Sequence, residues 1–313
     1  RDTLNFALLG AGRWARIYAR TIAAIPDLRL AIVARSRDTR PDFVPEECRF
    51  TTDWQAAIAD STVDGVIVAT PPALHAEMTN CAMRQNKPVL VEKPLTLDVR
   101  EAESVVEASK SCTAPVIVEH TQLFNPPYRE LKRRLPEIGD VVGVHAVAGN
   151  WGPFRTDVSM LWDWGAHDVA MYLDLFGSKP RELTIKRTGQ QVEEGGMGET
   201  YRIEFATPSG APVRLEFGNL LDRKTRRFIV YGKKATLVMN DVAEPKLQVA
   251  PPATPFAPPG AGQAVALADT RLPLTVAVQE FADAIRGKVK DHASLRLGLD
   301  VVRTLDLCQR SLA

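Results

Sequence analysis

Lys93 stands in the tripeptide Glu92-Lys93-Pro94, at the end of the apolar run Val89-Leu90-Val91. In an open α/β sheet, ligands bind just outside the carboxyl ends of the strands. A lysine delivered there, with a proline fixing the turn behind it, can hold and polarise an oxygen that develops negative charge. A second motif gives that ammonium a context. Gly10-Ala11-Gly12-Arg13-Trp14-Ala15 follows the apolar run at residues 4–9 and opens a helical stretch, the setting in which GxGxxG/A is informative. Gly10 permits the tight turn, Gly12 lets the backbone approach a pyrophosphate, and Ala15 allows close helix–strand packing. The helix start, with Arg13 and Trp14 in its first turn, offers free N–H groups to phosphate charge.

The end of the second strand should meet the adenosine ribose. An NAD site usually has Asp or Glu about 20 residues past the fingerprint. Here that position falls in Ala34-Arg35-Ser36-Arg37, and no carboxylate comes before Asp38. The guanidiniums of Arg35 and Arg37 with the Ser36 hydroxyl suit a 2′-phosphate, so NADP(H) is preferred and NAD(H) stays possible.

These motifs need elements to carry them. Residues 4–9, 28–34, 64–70, 88–91 and 115–119 are short apolar runs separated by helical patterns at 14–25, 75–85 and 97–109. Runs apolar on both faces indicate parallel strands covered by helices. Near His120 the pattern changes. Residues 143–150, 181–187, 199–206, 213–218 and 226–231 alternate polar and apolar, with one strong helix at about 165–176. The fold expected is an α/β Rossmann dinucleotide-binding domain plus a C-terminal α+β domain with a large, mostly antiparallel open sheet. The boundaries read as 1–122 and 123–292. Residues 245–259, rich in Pro and Ala, read as irregular chain, and 293–313 as a helix that packs back on the first domain.

At 313 residues the chain exceeds the ~250–300 at which single cores stop growing. Lys and Arg total 39 against 38 Asp and Glu, with no basic stripe, so nucleic acid is not an expected partner. No apolar run approaches the ~20 residues that span a bilayer, so no membrane is expected. Cys48, Cys81, Cys112 and Cys308 match no metal or CxxC spacing; no metal site is expected, and the thiols suit a reducing, cytoplasmic compartment. A strand from Leu4 leaves no room for a signal peptide, and the missing initiator Met points to a trimmed chain.

Taken together, the chain resembles the Gfo/Idh/MocA oxidoreductases, the glucose–fructose oxidoreductase and inositol dehydrogenase family. The likeness rests on Gly10–Ala15, on Thr70-Pro71-Pro72 with Leu74-His75, and on Val91-Glu92-Lys93-Pro94. It continues in Phe124-Asn125-Pro126, in Trp162-Asp163-Trp164-Gly165-Ala166-His167-Asp168, and in Pro273-Leu274 before Phe281. The resemblance implies hydride transfer between a nicotinamide and a carbon of a sugar, sugar nucleotide or cyclitol, in a homodimer or homotetramer built through the C-terminal sheet. It adds Thr70, Pro71, His75 and Glu92 to the cofactor-binding residues. It also implies that Lys93 lies beside the nicotinamide, and that Asp163 and His167 supply the other catalytic groups.

The residues themselves agree. Asp163 and His167 are four apart and can share a helix face. A carboxylate beside an imidazole stabilises its protonated form, and an imidazole titrating near neutrality suits proton exchange with a hydroxyl. The family often continues His-x-x-Asp, but Ala170 takes that place here and Asp168 directly follows His167. A substrate contact then passes to Asp168 or is lost, and the local form looks more like sugar-nucleotide and amino-sugar members. Gln122 and Asn125 could bind sugar hydroxyls. Trp151 and Trp164 could pack on sugar C–H surfaces, and Arg155 could hold a phosphate or carboxylate. The competing readings are a non-catalytic NAD(P)-sensing regulator on the same fold and a dehydrogenase of a non-sugar substrate such as a dihydrodiol.

Overall fold

The structure is a computed structural model that describes residues 3–177, 179–289 and 292–312. The chain divides into two compact units, Arg1–Thr121 with Leu272–Val302, and Gln122–Arg271 with Arg303–Ala313. Among the described residues no helix is long and apolar enough to cross a membrane.

The first unit holds six strands: β1 (Leu4–Leu9), β2 (Leu28–Ala34), β3 (Arg49–Thr51), β4 (Gly65–Val68), β5 (Val89–Glu92) and β6 (Val116–Glu119). They form one parallel sheet in the order β3-β2-β1-β4-β5-β6, the doubly wound arrangement whose strand order reverses beside β1. Every residue of β4, β5 and β6 is buried, as parallel strands covered on both faces should be. The covering helices include α1 (Arg13–Ala23), α2 (Trp54–Ala59), α3 (His75–Arg84) and α4 (Val99–Ser109). Asp98 starts α4 by accepting from the backbone N–H groups of Arg100 at 2.8 Å and Glu101 at 3.0 Å.

The second unit begins with α5 (Pro126–Arg134), then β7 (Val141–Trp151), α6 (Met160–Asp163) and α7 (Gly165–Phe176). The strands β8 (Arg181–Glu193), β9 (Gly196–Ala206), β10 (Pro212–Gly218), β11 (Leu220–Gly232), β12 (Thr236–Asn240), β13 (Leu247–Ala250) and β14 (Gln263–Ala264) follow. With β7 they make an eight-stranded sheet ordered β14-β13-β12-β11-β7-β10-β9-β8, antiparallel except where β10 runs parallel to β7. Burial alternates along β9 and β10, which puts Ile203, Phe205, Leu215 and Phe217 on a covered face. The start of α7 lies so close that a Cβ on Gly165 would sit 2.9 Å from the Phe217 ring. The stretch 245–259 is less irregular than its composition implies, because β13 pairs there with β12.

Two helices end the chain, α8 (Pro273–Gly287) and α9 (Ala293–Leu312). The sequence put residues 273–292 with the second domain. The packing groups α8 with the first unit, because Phe281 stacks on Phe6 of β1 with ring centroids 5.6 Å apart. Such an aromatic pair adds about 0.5–1.5 kcal/mol beyond its area burial. Within the same unit Ser294 accepts from the Val118 backbone N–H at 3.0 Å, tying the first turn of α9 to β6. The last turns of α9 belong to the second unit, where the side chain of Gln309 accepts from the Trp162 indole.

Candidate active site

In the first unit the candidate residues gather on loops at the carboxyl ends of β1, β4 and β5. Gly10 has φ +116°, and a Cβ there would stand 2.3 Å from the Ala69 carbonyl oxygen, so only glycine lets the turn after β1 pass the end of β4. Gly12 is the reverse case. A Cβ on it would meet nothing within 4 Å, leaving an open cradle before the start of α1. That helix has no side-chain cap and no acidic residue in its first turn, so its first N–H groups and the positive end of its dipole face the cradle. The arrangement fits a dinucleotide pyrophosphate. Arg13 is exposed there, Trp14 is half-buried, and Ala15 is fully buried where the helix crosses the sheet.

Arg35, Ser36 and Arg37 follow the end of β2, the two later residues exposed and Arg35 half-buried. Arg35 donates to the Thr39 carbonyl at 3.1 Å, which curls the loop. Arg16, a residue sequence reasoning passed over, pairs with Asp42 at 2.5 Å and lies over the Phe43 ring. Its hydrogen bond to Asp42 holds that carboxyl below the ordinary range.

Thr70, Pro71 and His75 occupy the loop after β4 and the start of α3. His75 is fully buried, with Nε2 3.0 Å from the Thr70 carbonyl and Nδ1 2.8 Å from the Pro94 carbonyl. Burial, ahead of any other influence, pushes its pKa down. With no exposed surface, His75 is not placed for the cofactor contact expected of it; its two ring nitrogens face main-chain carbonyls on two loops, and the neutral ring donates to one of them. Lys93 stands at the end of β5 with 8% of its surface exposed. Glu92 beside it accepts from the Tyr18 hydroxyl of α1 at 3.0 Å and from the Lys93 backbone N–H at 3.2 Å.

In the second unit Asp163 closes α6 and His167 lies in the first turn of α7, with Trp164 at the joint. The start of α6 is anchored by Glu199 of β9, which accepts from the Met160 backbone N–H at 3.2 Å and from the Tyr201 hydroxyl at 2.8 Å. That buried carboxylate is a positioning group with no local sequence signal. His167 is 9% exposed.

Arg155 grips Asp157 with two hydrogen bonds, of 2.9 and 2.7 Å, and its third nitrogen is 3.5 Å from Asp163 Oδ2. With two carboxylates already on the guanidinium, Arg155 is better suited to orienting Asp163 than to binding an anionic substrate group. It lines a cavity of about 430 Å³ with Thr156, Ser159, Glu193, Met197 and Glu199.

Asp168 is 1% exposed, which removes the direct substrate contact expected of it. Burial raises its pKa to about 7, opposed by the charge of Arg226 of β11, whose guanidinium also lies 5.1 Å over the Trp164 ring. Gln122 and Asn125 are buried and bonded to each other, Asn125 Nδ2 donating to Gln122 Oε1 at 3.1 Å. Trp151 is half-exposed and meets Phe154 edge-on at 5.7 Å.

A doubly wound parallel sheet with a glycine cradle at its switch point, followed by a second unit on a large mixed sheet, defines a two-unit dinucleotide-binding protein. Comparison with known proteins gives the same class more narrowly. Residues 4–120 match the "Oxidoreductase family, NAD-binding Rossmann fold", and residues 128–238 match the "GFO/IDH/MocA C-terminal domain". An inositol 2-dehydrogenase of Mycolicibacterium smegmatis is 30% identical over 223 residues, 68% of this chain and 65% of that protein. A scyllo-inositol 2-dehydrogenase (NADP(+)) of Bacillus subtilis is 27% identical over 214 residues, 63% of this chain and 64% of that protein. A solved structure from Magnetospirillum magnetotacticum MS-1 superposes with a TM-score of 0.89 at 43% identity, covering 98% of this chain and 99% of that one. The chain belongs to the Gfo/Idh/MocA oxidoreductase family. The matched stretch spans 65% and 66% of the first two curated relatives, just under two thirds of their length.

Proposed function

We propose that the chain is an NADP-dependent oxidoreductase acting on a secondary hydroxyl of a sugar, sugar nucleotide or cyclitol. The observation that carries the reading is Lys93, a lysine buried at a strand end, beside a Glu92 held by Tyr18. In a doubly wound sheet, ligands bind just outside the carboxyl ends of the strands, and that is the edge to which Lys93 is delivered. The names of two relatives, both inositol dehydrogenases, support a polyhydroxylated substrate.

When bound, the nicotinamide accepts or supplies the hydride. The residues of this chain do the rest. The cradle at Gly12 and the α1 N-terminus bind the pyrophosphate, and Arg35, Ser36 and Arg37 select the 2′-phosphate. Lys93 holds and polarises the reacting oxygen. His167 takes the hydroxyl proton during oxidation and returns it during reduction, while Asp163, oriented by Arg155, steadies the protonated ring. The open face of the eight-stranded sheet is the surface proposed for a homodimer or homotetramer, which light scattering on the eluted protein measures directly.

The test is NADPH oxidation with a panel of ketosugars and inososes, beside a titration of NADPH and NADH against intrinsic Trp fluorescence. Turnover with one sugar-like ketone and tighter NADPH binding are expected. No turnover across the panel overturns the reading, and tighter NADH overturns the cofactor preference.

A further inference from the structure

Two glutamates face each other across neighbouring strands at the carboxyl end of the first sheet. Glu92 on β5 is in register with Glu119 on β6, and both are buried, at 5% and 0% exposure. Their surroundings differ. Glu92 has a donor on each oxygen, the Tyr18 hydroxyl and the Lys93 N–H, as an anion requires. Glu119 receives one, from the Thr121 hydroxyl at 2.7 Å to Oε2, and among the described residues its Oε1 has no hydrogen-bond partner.

Two carboxylates sharing a dry site cannot both ionise cheaply, and the one with fewer donors keeps the proton. We propose that Glu92 and Glu119 hold a single proton, resident on Glu119, and that the pair is a positioning device for Lys93. It presents one negative charge, not two, to the loop on which the lysine stands.

The charges acting on Glu119 are those of Glu92 and Lys93, with Tyr18 of α1 above the pair and His120 next in the chain. Burial, then the charge of Glu92, pushes the Glu119 carboxyl well above the usual carboxylate range, against the pull of Thr121 and Lys93. Burial and the two glutamates push the Tyr18 hydroxyl up as well, so it donates and does not ionise. One anion matches one ammonium. A second anion would draw the Lys93 ammonium back onto the pair and away from a substrate oxygen. This consequence rests on the role proposed for Lys93 above, whereas the location of the proton does not.

Infrared spectra of the full chain grown with isotope-labelled glutamate decide the point. A protonated-carboxyl carbonyl band is expected near neutral pH in the unaltered protein, and it should vanish in Glu119→Gln. If that variant fails to fold, Glu119→Asp should replace the labelled band with an unlabelled one. No such band in the unaltered protein, or a band that survives both substitutions, overturns the proposal. The pH profile of turnover is the second readout. Its alkaline fall is expected to move to higher pH in Glu119→Gln, and superimposable profiles overturn the positioning role. A protein that shows the band but turns over no sugar fails the oxidoreductase reading and keeps the proton assignment. Turnover without the band does the reverse.

Discussion

The two units position their candidate residues in different ways. In the first, the candidate residues lie at the carboxyl ends of parallel strands or in the first turns of the helices that follow, and several of them are placed by their immediate neighbours in the chain. Gly10 and Gly12 shape a turn, Lys93 ends a strand, and Arg35 follows one. In the second, Asp163 and His167 sit on a short helical joint whose orientation depends on distant residues. Glu199 anchors α6 from β9, Phe217 limits the approach of α7, and Arg226 faces Asp168 from β11.

 The lesson is that a loop after a strand can be designed by short sequence, whereas a joint over a sheet is fixed by packing from several directions.

That contrast can be broken by substitution. The largest effect is expected at His167, the proton carrier proposed for the second unit. His167→Ala should lower kcat by about 10²–10⁴, the usual contribution of a general acid–base group, while NADPH binding by fluorescence titration is unchanged. Loss of cofactor binding in that variant would mean that the two sets of residues are not separable in the way described.

Next comes the loop proposed to hold a 2′-phosphate in the first unit. Arg35→Ser with Arg37→Ser should weaken NADPH binding by roughly tenfold or more, about 1.4 kcal/mol for each factor of ten, and leave NADH binding nearly unaltered. Equal losses for the two cofactors would remove the 2′-phosphate assignment.

A smaller effect tests action at a distance. Glu199→Gln weakens the anchor of α6, and removing such a partner costs on the order of 1–3 kcal/mol locally. Turnover should fall by about tenfold through the displaced Asp163, with kcat reduced more than KM is raised. A variant with normal kcat would show that the joint holds its shape without the anchor.

The smallest effect is a pH dependence in the first unit. The His75 pKa is lowered in the folded chain, so the folded state binds fewer protons than the unfolded one. The stability linked to it is present above the unfolded value of about 6.5 and is lost as pH falls through the lower folded value. The melting temperature should therefore decline on the acid side, and His75→Gln should flatten that decline. An unchanged slope would place the acid sensitivity elsewhere.

The same contrast explains what could be read in advance. The Rossmann sheet was legible because uninterrupted apolar runs and the Gly10–Ala15 turn leave few alternatives. The second sheet was legible as alternating strands, but β13 hid in a Pro-rich stretch whose pairing depends on β12. The membership of α8 was not legible, since an apolar stripe does not name its partner and Phe6 lies at the other end of the chain.

Among site residues, the spacing of Asp163 and His167 suggests one shared helix face, whereas the structure puts them on α6 and α7, either side of a joint at Trp164. The burial of Asp168 was not legible, because Arg226 comes from a different strand. The sequence offers Arg155 to a substrate anion, whereas its partner is Asp157, two residues on. His75 was carried into the cofactor site by its motif. Its true neighbours, the Thr70 and Pro94 carbonyls, are backbone atoms that no residue pattern reveals.

The indole of Trp162 reaches the side chain of Gln309 in the last turns of α9. Asp163 is the next residue along from that indole, so the last turns of α9 work as a guy-rope on the joint that carries it. Gln309→Ala should loosen that joint from a distance, without altering any residue proposed to meet substrate.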